Sequence, residues 1–150
     1  MIALEDLPQY RILAFDPGGS TGIVDVENGQ IRESETLSLD TLKDRLTSGW
    51  WEPELYHAWV AEDFFLTKGS SLYKQNSLLS PVRVLSWLEY RLYHHDIPLV
   101  KQTPSDVKYF VTRERLEAHR WWEHLRTNHE RDAARHALFY LYRQRGGKLK

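Results

Sequence analysis

The chain has 150 residues, 41% of them hydrophobic and 27% charged, which is ordinary for one soluble domain, and no apolar run approaches the ~20 residues needed to cross a bilayer. Cysteine is absent and the first ten residues lack a basic segment, so we expect neither disulfides nor a signal peptide, as in a cytoplasmic protein. The net charge of -1 argues against a protein that binds nucleic acids through its overall charge.

The first predicted strand, over 10–15, ends in a motif that offers a carboxylate to a ligand. Its apolar residues predict a short buried strand, and Asp16 follows them directly. The sequence DPGGSTG then predicts a tight turn, because proline fixes the backbone and glycine tolerates unusual angles. An acid among small residues at the end of a core strand suits a metal ion or a phosphate, although the same residues are also common in an ordinary β-turn.

A hairpin and a short helix are predicted next. Two extended runs, over 22–27 and 30–39, are joined by an Asn-Gly pair, which is the strongest short-range signal for a β-hairpin. The segment 40–47 follows with helical spacing of its leucines, and Asp40 is expected to be the N-cap of this helix.

The middle of the chain alternates strands with a helix. A fourth, buried strand is predicted over 57–61, and it ends at Glu62. A loop leads to a long helix over 75–94, in which Pro81 is expected near the start or at a bend. A fifth strand is predicted over 97–100.

The last third of the chain is predicted to hold two helices separated by a basic connector. The sequence TPSDV at 103–107 opens the first helix, since proline and an early acid favour a helix start. The connector over 113–128 contains Trp121-Trp122, for which the sequence predicts no role. The last helix is predicted over 130–143, with a stripe of alanines and leucines.

The predicted order β-β-β-α-β-α-β-α describes an α/β sheet with an antiparallel start and parallel additions. Asp16 and Glu62 both lie at carboxyl ends of strands, where open α/β sheets bind their ligands. The two carboxylates converge if these strands are parallel neighbours. Asp132 lies near the start of the last helix, and His129 projects on the same side if the helical turn is already formed there.

These four side chains form a candidate metal site. Carboxylates brought together repel one another unless a cation or protons neutralise them. Oxygen ligands without cysteine favour Mg²⁺ or Mn²⁺ over zinc, and two such ions ~3.5–4 Å apart can activate a water and stabilise the leaving oxygen of a phosphodiester. His129 could bind the second ion or relay a proton. Each residue also has a plainer explanation: Asp132 would favour the helix dipole, Glu62 would cap a loop, and His129 would lie at the surface.

Four stretches in this order resemble the RuvC-type Holliday-junction resolvases of the ribonuclease H-like nuclease superfamily, and small phage-borne members most of all. They are ILAFDPGGSTG, VAEDFFLTKGSS, QTPSDVKYFVT and HERDAARHAL. The resemblance implies a mixed five-stranded sheet flanked by helices, forming a single nuclease domain over 1–150. It also implies a homodimer that acts in DNA recombination and repair by cutting two opposed strands of a four-way junction, leaving 5′-phosphates and 3′-hydroxyls.

The resemblance also assigns roles to the four candidate site residues. Asp16 matches the strand-one aspartate that bridges two metal ions, and Glu62 matches the glutamate after the fourth strand. Asp132 matches the aspartate of the final helix, and His129 matches the residue one turn earlier that completes the site. The implied catalytic and metal-binding residues are therefore these four, with two Mg²⁺ or Mn²⁺ ions.

A DNA-binding surface is predicted after the fourth strand. Phe65 matches a family aromatic that stacks on a base at the junction centre, and Lys108 matches a lysine near the scissile strand. Basic residues and aromatic rings together suit phosphates and unpaired bases, although the rings could instead be core residues and the lysines merely solvated. Residues 63–150 carry 16 Lys/Arg and 9 Asp/Glu, against 4 and 12 in residues 1–62, which indicates an anionic partner or a chance imbalance. The predicted DNA-binding residues are Phe65, Lys68, Ser70, Ser71, Tyr73, Lys74, Arg83 and Lys108.

Other functions are also compatible with the sequence. DPGGSTG resembles the phosphate loop of the actin-like and sugar-kinase fold, which would make the chain a single-lobe phosphate-binding protein, although that fold needs two such lobes. A nuclease of the same fold could alternatively prefer flaps or replication forks, or the chain could bind branched DNA without cutting it.

Overall fold

The computed structural model describes residues 7–64 and 72–145, and within 72–78 the backbone only. In these residues one mixed sheet has the strand order β3-β2-β1-β4-β5. β1 pairs antiparallel with β2 and parallel with β4, β2 pairs antiparallel with β3, and β5 is parallel to β4. The predicted mixed five-stranded sheet is therefore confirmed. The strands are β1 (Arg11–Asp16), β2 (Ser20–Glu27), β3 (Gln30–Ser38), β4 (Ala58–Glu62) and β5 (Leu99–Gln102).

Helices cover both faces of this sheet. α3, α4 and α5 pack with one core cluster, and α1 and α2 pack with the other. In the described part of the chain, none of these helices is long and apolar enough to cross a membrane. The helices are α1 (Leu39–Ser48), α2 (Leu72–Leu92), α3 (Pro104–Phe110), α4 (Arg113–Ala118) and α5 (Asn128–Gln144).

The central strand β1 has an apolar run because it is buried on both faces. Ile12 and Ala14 belong to the core cluster under α5, whereas Leu13 and Phe15 belong to the cluster under α1 and α2. Alternate side chains of a strand point to opposite faces, so a strand between two helical layers needs apolar residues at every position. This burial fixes the place at which Asp16 leaves the core.

The predicted hairpin between β2 and β3 is confirmed. Asn28 and Gly29 have φ angles of 53° and 78°, so both residues are in the left-handed region that a two-residue hairpin turn of this kind requires. The register shifts between Asp25 and Val26, where the β2–β3 ladder is irregular.

Several predicted element boundaries were wrong by one to three residues. β1 and β4 each begin and end one residue later than predicted, with Asp16 and Glu62 at their carboxyl ends as expected, and β5 begins two residues later than predicted. The predicted N-cap Asp40 lies in the first turn of α1, and Ser38 is the N-cap because its side chain accepts a hydrogen bond from the backbone N–H of Thr41 at 3.3 Å.

Two helix limits also differ from the prediction. α2 begins at Leu72, three residues earlier than expected, so Pro81 lies inside the helix and not at its start. The predicted connector over 113–128 contains the helix α4 and a 3₁₀ turn at Trp122–His124. Thr112 caps α4 by accepting from the backbone N–H of Arg115 at 3.3 Å, a local signal that the Trp-rich composition obscured.

The structure gives Trp121 and Trp122 separate roles. Trp121 is buried, and its indole N–H donates to the backbone oxygen of Gly29 at 2.9 Å, which ties the connector to the β2–β3 turn. Trp122 lies between two guanidinium groups, with the Cζ atoms of Arg113 and Arg131 at 4.4 and 4.3 Å from its ring. The connector is therefore a packed segment that fixes the approach to α5.

Candidate active site

Asp16 and Glu62 lie side by side at the carboxyl edge of the sheet. The parallel pairing of β1 with β4 places Phe15 opposite Ala61, and the two acids are the next residues of their strands. Both are only 6% exposed. The expectation that strands one and four are parallel neighbours is confirmed, and it brings two carboxylates to one point.

The first turn of α5 is fixed by the N-cap Thr127 together with Glu130. The hydroxyl of Thr127 accepts from the backbone N–H of Glu130 at 3.1 Å and donates to the Glu130 carboxylate at 3.2 Å. Thr36 of β3 donates to the same carboxylate at 3.1 Å, which anchors the helix start to the sheet. Because α5 begins at Asn128, His129 already lies in a formed helical turn, as the prediction required.

Gly22 allows this helix to lie directly against the sheet. A Cβ atom at Gly22 would be 2.0 Å from the backbone oxygen of His129 and 2.7 Å from the backbone nitrogen of Glu130. Gly22 is also the residue paired with Asp16 in the β1–β2 ladder. The missing side chain therefore lets the main chain at His129 come close to Asp16, which is a reason for glycine that the sequence motif alone did not supply.

His129 reaches Asp16 across this contact. Its Nδ1 atom is 3.0 Å from Oδ2 of Asp16, and the imidazole side chain is 48% exposed. A proton must lie between these two atoms, because neither a carboxylate oxygen nor a bare imidazole nitrogen can donate. The pair thus joins a buried carboxylate to a group that solvent and ligands can reach.

The surroundings of Asp16 at this edge of the sheet raise the pKa of its carboxyl group. Burial raises the pKa of the Asp16 carboxyl to about 7, the hydrogen bond with His129 opposes that increase, and the negative charges of Glu62 and Asp132 add to it. Three acids from three elements therefore act on one another electrostatically. Perturbed carboxyl groups of this kind are common at functional sites.

Asp132 lies one turn beyond His129 on α5 and is held by an arginine. Nη1 of Arg135 donates to Oδ1 of Asp132 at 2.9 Å, and Nε of Arg135 donates to the backbone oxygen of Val111 at 3.1 Å. The side chain of Asp132 is 25% exposed. The carboxylate is thus oriented at the rim of the site with a cation beside it.

Sequence analysis missed two buried residues behind Glu62. His136 of α5 is 1% exposed, and its Nε2 atom is 3.4 Å from Oε1 of Glu62. Gln102, which is paired with Glu62 in the β4–β5 ladder, contacts the same histidine. The spacing of His129, Asp132 and His136 along one helix face was the signal that could have revealed the histidine.

The donor set suits a divalent cation, but a closed ligand shell is not formed. Carboxylate oxygens with one imidazole match the preferences of Mg²⁺ or Mn²⁺. The pKa of Asp16 is raised chiefly by burial and further by the charges of Glu62 and Asp132, and a bound cation would offset both effects. Within residues 7–64 and 72–145, no three His, Asp or Glu side chains are arranged to hold one metal ion. The four candidate ligands therefore remain a prediction, with Asp16 and His129 in direct contact.

Most predicted DNA-binding residues lie outside the described side chains. Arg83 of α2 and Lys108 of α3 are exposed. Phe64, the aromatic residue just before Phe65, is partly buried against the core under α1 and α2, so the core explanation holds for that ring. The others fall in residues 65–71, or in 72–78, where the backbone alone is described: Phe65, Lys68, Ser70, Ser71, Tyr73 and Lys74.

Comparison with known proteins gives a match at the level of structure. No protein-family model matches the chain, and no curated protein sequence matches it. A structure of Thermus thermophilus RuvC in complex with a Holliday junction substrate matches with a TM-score of 0.70 at 15% identity, covering 91% of this chain and 96% of that one. A second Thermus thermophilus RuvC structure matches with a TM-score of 0.62 at 19% identity, covering 93% and 98%. The chain therefore has the RuvC-type, ribonuclease H-like fold over nearly its whole described length.

Proposed function

We propose that this protein is a divalent-metal-dependent endodeoxyribonuclease that cuts four-way junctions or related branched DNA. The observation that carries the proposal is the meeting of Asp16 and Glu62 at the ends of adjacent parallel strands, with His129 and Asp132 arriving on α5. The similarity to RuvC over nearly the whole length of both chains supports it. The same coverage supports a single nuclease domain over 1–150.

The proposed cofactor is a pair of Mg²⁺ or Mn²⁺ ions held by these four residues. When bound, the ions would supply Lewis-acid stabilisation of the phosphodiester and an activated water, leaving 5′-phosphate and 3′-hydroxyl ends. The buried carboxylates of Asp16 and Glu62 would form the inner wall of the site. His129 and Asp132 stand at the accessible side, where His129 also holds a proton that it can pass to or take from Asp16.

The proposed substrate is branched DNA. The RuvC structure that matches this chain was determined with a Holliday junction, and the exposed cations Arg83 and Lys108 suit a phosphate backbone. Phe65 is proposed to stack on an unpaired base at the branch, with the neighbouring polar and basic residues holding the strands. We further propose a homodimer, since two opposed strands must be cut. It would act in the cytoplasm of a bacterium, or of the host cell if the protein is encoded by a phage.

Two alternatives lead to different experiments. A flap- or fork-preferring nuclease would use the same four residues and differ only in which branched DNA it cuts. A single-lobe phosphate-binding protein of the actin-like type would bind ATP and leave DNA intact. The match covers 96% of the RuvC chain, so one domain of this fold accounts for nearly all of that chain, and this favours the nuclease.

The test is a cleavage assay on synthetic junctions, flaps, forks and linear duplex with Mg²⁺ or Mn²⁺. We expect preferential cutting of branched DNA, with Asp16→Asn and Glu62→Gln abolishing cleavage while junction binding in EDTA survives. Asp44→Asn, which changes an exposed acid on α1, is the matched control and should cut like the wild type. Wild-type cutting rates in the Asp16 variant, or calorimetric ATP binding without DNA cleavage, would refute the proposal.

A further inference from the structure

A buried histidine stands behind the candidate metal ligand of β4. His136 is 1% exposed, and its Nε2 atom lies 3.4 Å from Oε1 of Glu62, which is itself 6% exposed. Among the described residues, the Glu62 carboxylate has no other hydrogen-bond partner, and the main chain of Glu62 pairs with Gln102 of β5. The hydrogen bond between Nε2 of His136 and Oε1 of Glu62 is therefore the contact that orients this carboxylate.

Gln102 fixes which nitrogen of His136 carries the proton. Nε2 of Gln102 is 3.0 Å from the backbone oxygen of His136, and since a carbonyl can only accept, the amide nitrogen must face it. The same amide nitrogen is 3.2 Å from Nδ1 of His136, so Nδ1 is the acceptor. A neutral imidazole then carries its proton on Nε2, and that N–H points at Glu62.

We infer that His136 is a positioning residue that holds Oε1 of Glu62 by an Nε2–H hydrogen bond and leaves Oε2 for a divalent cation. The inference rests on the proposed function, because it assigns a role to Glu62 as a ligand. Residues that hydrogen-bond to metal ligands set the orientation of those ligands, and their loss typically weakens metal binding about 10- to 100-fold.

The architecture around His136 supports this role. His129, Asp132 and His136 lie at positions i, i+3 and i+7 of α5, so one helix face carries two candidate ligands and the group that orients a third. Gln102 ends β5 next to Glu62 on β4. Gln102 of β5 thus fixes the tautomer of His136, and α5 places the imidazole ring of His136 next to Glu62. Without this N–H, no described side chain would hold the Glu62 carboxylate by a hydrogen bond against repulsion by the carboxylate of Asp16.

The test is Mn²⁺ binding to the full-length protein without DNA, measured by titration calorimetry and by the electron paramagnetic resonance signal of free Mn²⁺. His136→Met removes the donor at similar bulk and should weaken Mn²⁺ binding about 10-fold or more. His136→Gln, which keeps an N–H donor, should restore most of the affinity. The control is His119→Met: His119 is equally buried but contacts Tyr142 near the far end of α5, at 2.7 Å, and its loss should leave Mn²⁺ binding unchanged.

The outcomes separate this inference from the proposed function. If the wild type binds Mn²⁺ and cuts junctions while His136→Met binds Mn²⁺ as tightly, the positioning role is overturned and the nuclease stands. If the wild type binds no Mn²⁺ and cuts no DNA, the proposed function fails. Nitrogen NMR of the metal-free wild type gives a check that needs no variant: the Nε2–H tautomer of His136 is expected, and an Nδ1–H tautomer would overturn the inference.

Discussion

Asp16→Asn should stabilise the metal-free protein while it abolishes cleavage. The pKa of Asp16 rises from 3.8 to about 7 in the folded state, chiefly through burial. A raised carboxyl pKa means that the folded protein keeps a proton that the unfolded chain has released, so stability falls as the pH rises between these two values. At 1.36 kcal/mol per unit of pKa, this difference in proton binding lowers the free energy of unfolding by about 2 kcal/mol at pH 5 and about 4 kcal/mol at pH 8, relative to a pH below both pKa values. Asparagine keeps the shape and carries no charge.

The assay is chemical denaturation in EDTA at pH 5 and pH 8. We expect the variant to exceed the wild type in free energy of unfolding by as much as about 4 kcal/mol at pH 8 and by about half of that at pH 5. Added Mg²⁺ should stabilise the wild type and not the variant, because a ligand that binds the folded state adds stability by mass action. A variant no more stable than the wild type at pH 8, or one with the same gain at both pH values, would refute the reasoning.

Asp25→Asn is the matched control for this measurement. Asp25 is as buried as Asp16, at 6% exposure, but Nη2 of Arg11 and the hydroxyl of Tyr56 donate to it at 3.1 and 2.8 Å. Its charge is compensated, so removing that charge leaves the partly buried guanidinium of Arg11, among the described residues, with only the longer 4.0 Å ion pair to Glu27. This variant should be destabilised at both pH values, the opposite sign to Asp16→Asn.

The remaining predictions concern the helix approach, the DNA contact and the connector. Gly22→Ala should lower junction cleavage at least 10-fold and lower the free energy of unfolding by about 1–3 kcal/mol, because the added Cβ would meet the backbone at His129. Gly19→Ala is the control: an added Cβ there has no atom within 4 Å, so both cleavage and stability should be nearly unchanged. Phe65→Ala should reduce junction cleavage more than duplex binding, measured by gel assay and anisotropy, and equal losses would argue against stacking. Trp121→Phe should lower the free energy of unfolding by about 1–3 kcal/mol in denaturant titrations, because the backbone carbonyl of Gly29 loses the indole N–H that donates to it. An unchanged free energy of unfolding would contradict the importance of that hydrogen bond.

Local sequence patterns were sufficient to predict the five strands, the helices other than α4, and the acids at the carboxyl ends of β1 and β4. The apolar run before Asp16 and the one before Glu62 each predict a strand buried on both faces, and a parallel pair of such strands brings its terminal acids together. The Asn-Gly turn predicted the hairpin because its conformational requirement lies within two residues. Boundaries moved by one to three residues where a cap such as Ser38 decided the helix start.

Tertiary structure decided how the site is supported. Gly22 reads in sequence as part of a turn motif, and its packing against the backbone at His129 depends on the place where α5 crosses β2. His136 reaches Glu62 across 74 positions of the chain, and the orientation of its ring depends on Gln102 of a third element. Sequence alone was enough to predict which groups could bind a cation, because that prediction depends on residue type and on the ends of local elements. Which groups meet, and which atom faces which, depends on sheet register and helix packing, and these are set by contacts between distant segments.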